Sequence, residues 1–256
     1  MSTHVKFRVD GVKAYITLFD EVERHPCTLD WTVLYELRDC LEQLAQRPEL
    51  RIIILESASP KSFVVGANIA ALEELNPENI MEWVRLGHDI FNRFSQTRVY
   101  TIAKVKYMAL GGGLELAMAC DTIVASDVAK LGQPEATLGV MPGWGGSYRL
   151  AQLVGPSRAK EMFATGEHLT AQEAYAWGLV NHVVPADEID DYVDAMADKI
   201  AENDDRVIAY LKGYINDHFY RGMTHCAEYE AISSSVCLNS PGTKKRLSDF
   251  FAKRKK

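Results

Sequence analysis

Polar and apolar residues alternate from Val5 to Val9, the period of two that marks a strand with one buried face, and Ala14 to Leu18 is a second strand-like run. Arg51 to Glu56 instead carries an unbroken Ile-Ile-Ile-Leu run, as a strand buried on both faces does. Between these strands Leu34, Leu37, Leu41 and Leu44 recur at steps of three and four behind the possible cap Asp30, which predicts a helix from about Thr32 to Gln46. A second amphipathic helix is predicted from Pro77 to Phe94, followed by a strand at Tyr100 to Val105 and an apolar run at Thr122 to Ala125. Strands and helices alternate, so the class is α/β.

Punctuation residues organise the next stretch. Pro156 opens a helix and Gly166 closes it, while Thr170 and Glu173 form a capping box for another that stops near Gly178. Beyond about Ala186 strand signals vanish. Asp187 to Ala201, Asp205 to His218, Met223 to Val236 and Lys244 to Lys253 read as helices, which divides the chain into an α/β core over residues 1–186 and a helical C-terminal subdomain over residues 187–256.

Composition narrows the function classes. The chain has 256 residues, 47% hydrophobic and 25% charged, enough to bury a core of one large domain. No apolar run approaches the roughly 20 residues that cross a bilayer, and the N-terminus enters a strand pattern without a signal-like apolar stretch, so a cytoplasmic protein is expected. A formal charge of -7 repels nucleic-acid phosphate, and the one basic run is Lys253 to Lys256, expected to be a solvated end. Five cysteines with no CxxC pair and seven histidines without HxxxH or HExxH spacing argue against a disulfide framework and a metal site. Reduced, mostly buried thiols are expected.

Two stretches carry chemistry. In Ala109-Leu-Gly-Gly-Gly-Leu-Glu-Leu-Ala-Met-Ala-Cys-Asp121 three glycines lead into a short apolar helix. Bare backbone there lets a ligand come close, and the first amides of a helix lack internal partners and sit at its positive end. Gly112 is the natural donor to a carbonyl oxygen gaining negative charge, and Glu115 follows in the first turn. In Leu131-Gly-Gln-Pro-Glu135, with Pro142-Gly-Trp-Gly-Gly146 close behind, a carboxylate is held on a loop framed by proline and glycine. Two carboxylates at one cleft can divide into base and acid, because like charge and burial separate their proton affinities.

From Ala109 to Leu150 the sequence resembles the enoyl-CoA hydratase/isomerase, or crotonase, family, whose pattern ALGGGxELAxxCD then GxPExxLGxxPGxGGxxRL it follows. The family's AFxxGAD block is similar to Ser62-Phe-Val-Val-Gly-Ala-Asn68. The resemblance implies a spiral of strand-strand-helix units with a helical C-terminal subdomain, and commonly a homotrimer or homohexamer. It implies that the amides of Ala67 and Gly112 hold a thioester oxygen and that Glu115 and Glu135 are the two carboxylates of a hydratase. The substrate so implied is an acyl-CoA or acyl-carrier thioester, with neither metal nor redox cofactor. It further implies Arg24, Lys61 and Phe250 as coenzyme A-binding candidates, Phe250 often serving a neighbouring subunit. Alanine at position 112 is expected to keep the donor that proline would remove.

The chain also departs from the family pattern. Phe19-Asp20-Glu21 stands for NRP, Cys27-Thr28-Leu29 for NAL, Val105-Lys106-Tyr107 for VNG, Asn68 for Asp, Ala70 for a common lysine and Lys245-Arg246-Leu247 for EGM. Two other functions stay open at this point: a double-bond isomerase or decarboxylase on the same scaffold, and a non-catalytic oligomeric scaffold or RNA-binding protein. Net charge and the presence of both glutamates speak against the last.

Overall fold

The computed structural model describes residues 4–20, 22, 25–220, 231–232, 235, 238–239 and 241–254. Two sheets form. The larger has six strands: β1 (Val5–Asp10), β2 (Lys13–Leu18), β3 (Ile52–Ser57), β5 (Tyr100–Val105), β7 (Thr122–Ser126) and β10 (His182–Val184), in that spatial order. Only β1 and β2 pair antiparallel, as a hairpin turning at Gly11; the rest are parallel. The smaller sheet runs β4 (Ser62–Val64), β6 (Met108–Leu110), β8 (Lys130–Gly132) and β9 (His168–Thr170), with β4, β6 and β8 parallel. Successive turns of chain therefore place one strand in each sheet and then a helix, the strand-strand-helix spiral expected.

Helix α1 (Trp31–Ala45) buries the predicted leucine stripe, and Asp30 caps it by accepting the Val33 N–H at 2.9 Å. Asp30→Ala is expected to lower unfolding free energy by about 1 kcal/mol, read from denaturant midpoints, because that donor loses its partner. The helix predicted from Pro77 begins later. Asn68 caps a short α2 (Ile69–Glu73), Asn76 and Asn79 build a turn through their side chains, and α3 then runs Ile80–Gln96.

The glycine triplet does not simply precede its helix. α4 (Gly112–Met118) starts on the second glycine, with Gly111 before it at φ +53°. Gly113 must be glycine because a Cβ there would lie 2.0 Å from the Val64 carbonyl oxygen of β4. Glu135, expected on a loop, opens the single-turn helix α5 (Glu135–Leu138). α6 (Gly146–Val154) precedes α7 (Pro156–Thr165), which has the predicted Pro156 start and Gly166 end, and α8 (Ala171–Trp177) has the Thr170–Glu173 capping box.

Among the C-terminal helices, α9 (Ile189–Ala201) lays Ile189, Val193 and Ala197 on Tyr15, Ile52, Ile54, Ile102 and Val124 of the larger sheet. α10 (Asp205–Tyr220) is tied down by Lys212, whose buried ammonium donates to the Phe94 and Val99 carbonyls and to Asp121 at 3.2, 2.8 and 2.6 Å. Burial pushes the lysine down and the aspartate up in proton affinity, and their mutual attraction opposes both shifts. α11 (Pro241–Arg254) packs on α5, where the Thr243 hydroxyl donates to the Gly139 carbonyl at 2.7 Å. The segment expected as a helix from Met223 to Val236 lies largely outside the described residues, as does much of the Lys253–Lys256 end.

Among the described residues Cys27, Cys40 and Cys120 are free thiols, and burial pushes Cys40 up to about 12. Cys226 and Cys237 lie outside them. No helix of the described residues is long and apolar enough to cross a membrane.

Candidate active site

The three parallel strands of the smaller sheet all end at the same edge, and each hands its next residues to one pocket. Loops beyond the carboxyl ends of parallel strands are where such sheets place ligands. β4 delivers Gly66 and Ala67, β6 delivers Gly111 and Gly112 with Glu115 one turn into α4, and β8 delivers Pro134 and Glu135. Ala67, Gly112, Glu115 and Glu135 all line this pocket of about 100 Å³.

Backbone contact sets the first two. Gly66, at φ +94°, sits where a Cβ would be 3.2 Å from the Leu110 carbonyl oxygen and 3.5 Å from the Gly112 nitrogen, so the loops after β4 and β6 touch main chain to main chain. Leu29 forms a parallel bridge with Ala67 by donating to the Gly66 carbonyl at 2.9 Å and accepting from Asn68 at 2.7 Å. That bridge uses the residues on either side of Ala67 and turns the Ala67 amide to the opposite side of its strand. The Gly112 amide is the first of α4 and has no carbonyl one turn before it within the helix. Two donors thus border one pocket.

Glu115 is 2% exposed, and its Oε1 accepts the N–H groups of Trp144 at 2.8 Å and Gly146 at 2.6 Å. Hydrogen bonds of this charge-assisted kind hold a buried carboxylate in one rotamer. The donors themselves are held by Arg149, wholly buried, whose Nη1 donates to the Trp144 carbonyl at 2.9 Å and Nη2 to Asn92 Oδ1 of α3 at 2.8 Å. Glu135 is half-buried beside Gly111, where a Cβ would be 3.1 Å from its Oε1. The Gln133 amide, set with its nitrogen toward this carboxylate because an oxygen there would face an anion, donates to Oε1 at 2.9 Å and Oε2 at 3.1 Å. A Cβ on Gly146 would crowd Gln133 and Glu115, each 3.0 Å away, so Gly146 lies close to both the Glu115 carboxylate and the amide that holds Glu135.

Trp144 changes one expectation. Its ring lies 2.6 Å from where a Cβ on Gly112 would be, so alanine at position 112 keeps the amide but drives a methyl into a buried indole. Ala67 already carries a Cβ and is the cleaner place to test an amide. Of the coenzyme A-binding candidates, Lys61 is exposed on the loop before β4 and does not line the pocket, and Phe250 is half-buried on α11, edge-on to Phe251 at 5.9 Å. Arg24 lies outside the described residues. Sequence reasoning passed over Gln133 and Arg149. Both stand inside the quoted motifs, but their work depends on burial that no spacing reveals. Among the described residues no cluster of three His, Cys, Asp or Glu side chains could hold a metal.

Known proteins match this arrangement along nearly the whole chain. The family model for enoyl-CoA hydratase/isomerase matches residues 14–256. A crotonyl-CoA hydratase of Syntrophomonas wolfei is 34% identical over 227 residues, covering 89% of this chain and 87% of that protein, and a short-chain-enoyl-CoA hydratase of Clostridium acetobutylicum matches at the same identity and coverage. The crystal structure of an enoyl-CoA hydratase from Mycobacterium avium subsp. paratuberculosis superposes with a TM-score of 0.86 at 26% identity, over 97% of this chain and 99% of that one. With that match over the whole α/β spiral, and with the motifs after β4, β6 and β8 converging on one pocket, the chain belongs to the enoyl-CoA hydratase/isomerase family.

Proposed function

We propose that this enzyme adds water across the 2,3 double bond of an enoyl-CoA thioester, with Glu115 and Glu135 as its acid/base pair and the amides of Ala67 and Gly112 as its oxyanion hole. The observation that carries this reading is the meeting of two carboxylates and two backbone donors at one small pocket. One carboxylate takes a proton from water as the water oxygen bonds to C3. The double-bond electrons move toward the thioester oxygen, where the two amides stabilise the enolate, and a proton is then returned to C2. The protein groups supply every step, and none calls on a metal or redox cofactor. Isomerisation or decarboxylation needs the same enolate but not two carboxylates to handle a water, and the presence of both Glu115 and Glu135 at one pocket favours hydration. Incubation with four-carbon 2-enoyl-CoA should remove the enoyl-thioester absorbance and give a product heavier by one water. Turnover of 3-enoyl or malonyl-type thioesters with no hydration of any 2-enoyl thioester would overturn this assignment.

The same reading includes self-association as a trimer or a dimer of trimers. Its support is an apolar stripe on α10, where Val207, Tyr210, Leu211 and Ile215 are each more than half exposed, beside exposed Leu153 of α6. Contiguous apolar surface of this kind marks an interface. Light scattering at micromolar concentration should report at least three chains per particle, and Leu211→Asp should shift the distribution toward single chains. A wild-type monomer contradicts the idea, and with it the assignment of Phe250 to a neighbour's nucleotide.

A further inference from the structure

Trp144 occupies space that two glycines leave open. Its indole sits between α3 and α4, with ring atoms 2.1 Å from where a Cβ on Gly87 would be and 2.6 Å from where one on Gly112 would be. Glycine inside a helix as long as α3 is destabilising relative to alanine, and here the lost side chain is what admits the ring. The ring cannot swing aside. Its Nε1–H donates to the Trp83 carbonyl at 3.2 Å, its own carbonyl is held by Arg149, and Trp83 and Phe91 pack on it at centroid distances of 5.0 and 5.5 Å.

The position of this ring matters as much as its rigidity. Its benzo edge lies over Gly112, the amide assigned to the thioester oxygen, while its own main-chain N–H holds Glu115. The ring lines the same pocket as Gly112, Glu115 and Glu135. We infer that Trp144 is a specificity-determining residue that closes the acyl end of the pocket and restricts the substrate to short chains, of about four to six carbons. The volume agrees: about 100 Å³ is far below the roughly 300–1,000 Å³ that takes a drug-sized ligand. This inference rests on the hydratase reading for the orientation of the thioester.

The test has two arms on the wild-type protein and one on a variant. Across 2-enoyl-CoA substrates of four to twelve carbons, kcat/KM should be highest at four and fall by about 100-fold or more by ten, since a closed apolar pocket discriminates about 10- to 200-fold per misfitting methylene. Calorimetric affinity for saturated acyl-CoAs should rise to about six carbons and not beyond. Trp144→Leu, checked for folding by circular dichroism, should raise the ten-to-four-carbon activity ratio by about 10-fold or more while keeping the N–H on Glu115. Hydration of all lengths within threefold, or affinity that climbs steadily through twelve carbons, overturns the inference and leaves the hydratase reading standing. Loss of hydration at every length sinks the hydratase reading instead, and the binding series still decides the acyl wall. An unfolded variant leaves the two wild-type arms to decide it.

Discussion

Glu115→Gln and Glu135→Gln should each lower kcat by about two to four orders of magnitude, the range expected when a general acid or base is removed, while thioester affinity stays within a few-fold. The substitution suits both positions. A glutamine at 115 still offers one oxygen to the Trp144 and Gly146 amides, so the clasp on the side chain survives and only the proton chemistry is lost. At 135 the Gln133 amide still finds an oxygen to bond. Steady-state hydration kinetics and acyl-CoA binding measured on the same preparations separate chemistry from binding. The double variant should be little worse than the poorer single, because the two groups act on one transition state. Near wild-type turnover by either single variant removes that glutamate from the mechanism.

Ala67→Pro should lower kcat/KM by about 100- to 1,000-fold, the loss of one oxyanion donor being worth roughly 3 to 4 kcal/mol. Proline deletes the N–H and leaves the flanking bridge bonds, Leu29 to the Gly66 carbonyl and Asn68 to the Leu29 carbonyl, in place. Ala67→Ser is the control: it keeps the amide at a position that already tolerates a Cβ, and it should retain most activity. The same pair of substitutions at Gly112 cannot be read cleanly, since any Cβ there meets Trp144. A folded Ala67→Pro enzyme with nearly full turnover would show that this amide does not hold the thioester oxygen.

Much of the larger sheet is visible in the chain itself. β1, β2, β3, β5 and β7 are long enough for alternation or an unbroken apolar run to show, and α1 announces itself by its leucine spacing and Asp30. The helices after Pro156 and Thr170 were equally legible because their ends are written in single residues whose backbone chemistry is local. The smaller sheet was not. β4, β6, β8 and β9 have three residues each, too few for any periodicity, and they are strands only because neighbours distant in sequence supply their hydrogen bonds.

By itself, then, the sequence determined the α/β class, most of the larger sheet and the capped helices, which rest on local chemistry: a period, a cap, a glycine. Its motifs and their family resemblance also singled out Ala67, Gly112, Glu115 and Glu135 as candidate site positions. Only the tertiary structure decided that β4, β6 and β8 end at one edge and so bring those four positions to one pocket. It alone decided that Arg149 and Gln133 hold the parts of that pocket and that Trp144 fills the gap left by Gly87 and Gly112. Each of these depends on which surfaces meet across dozens of residues, and burial, unlike spacing, exists only once they have met.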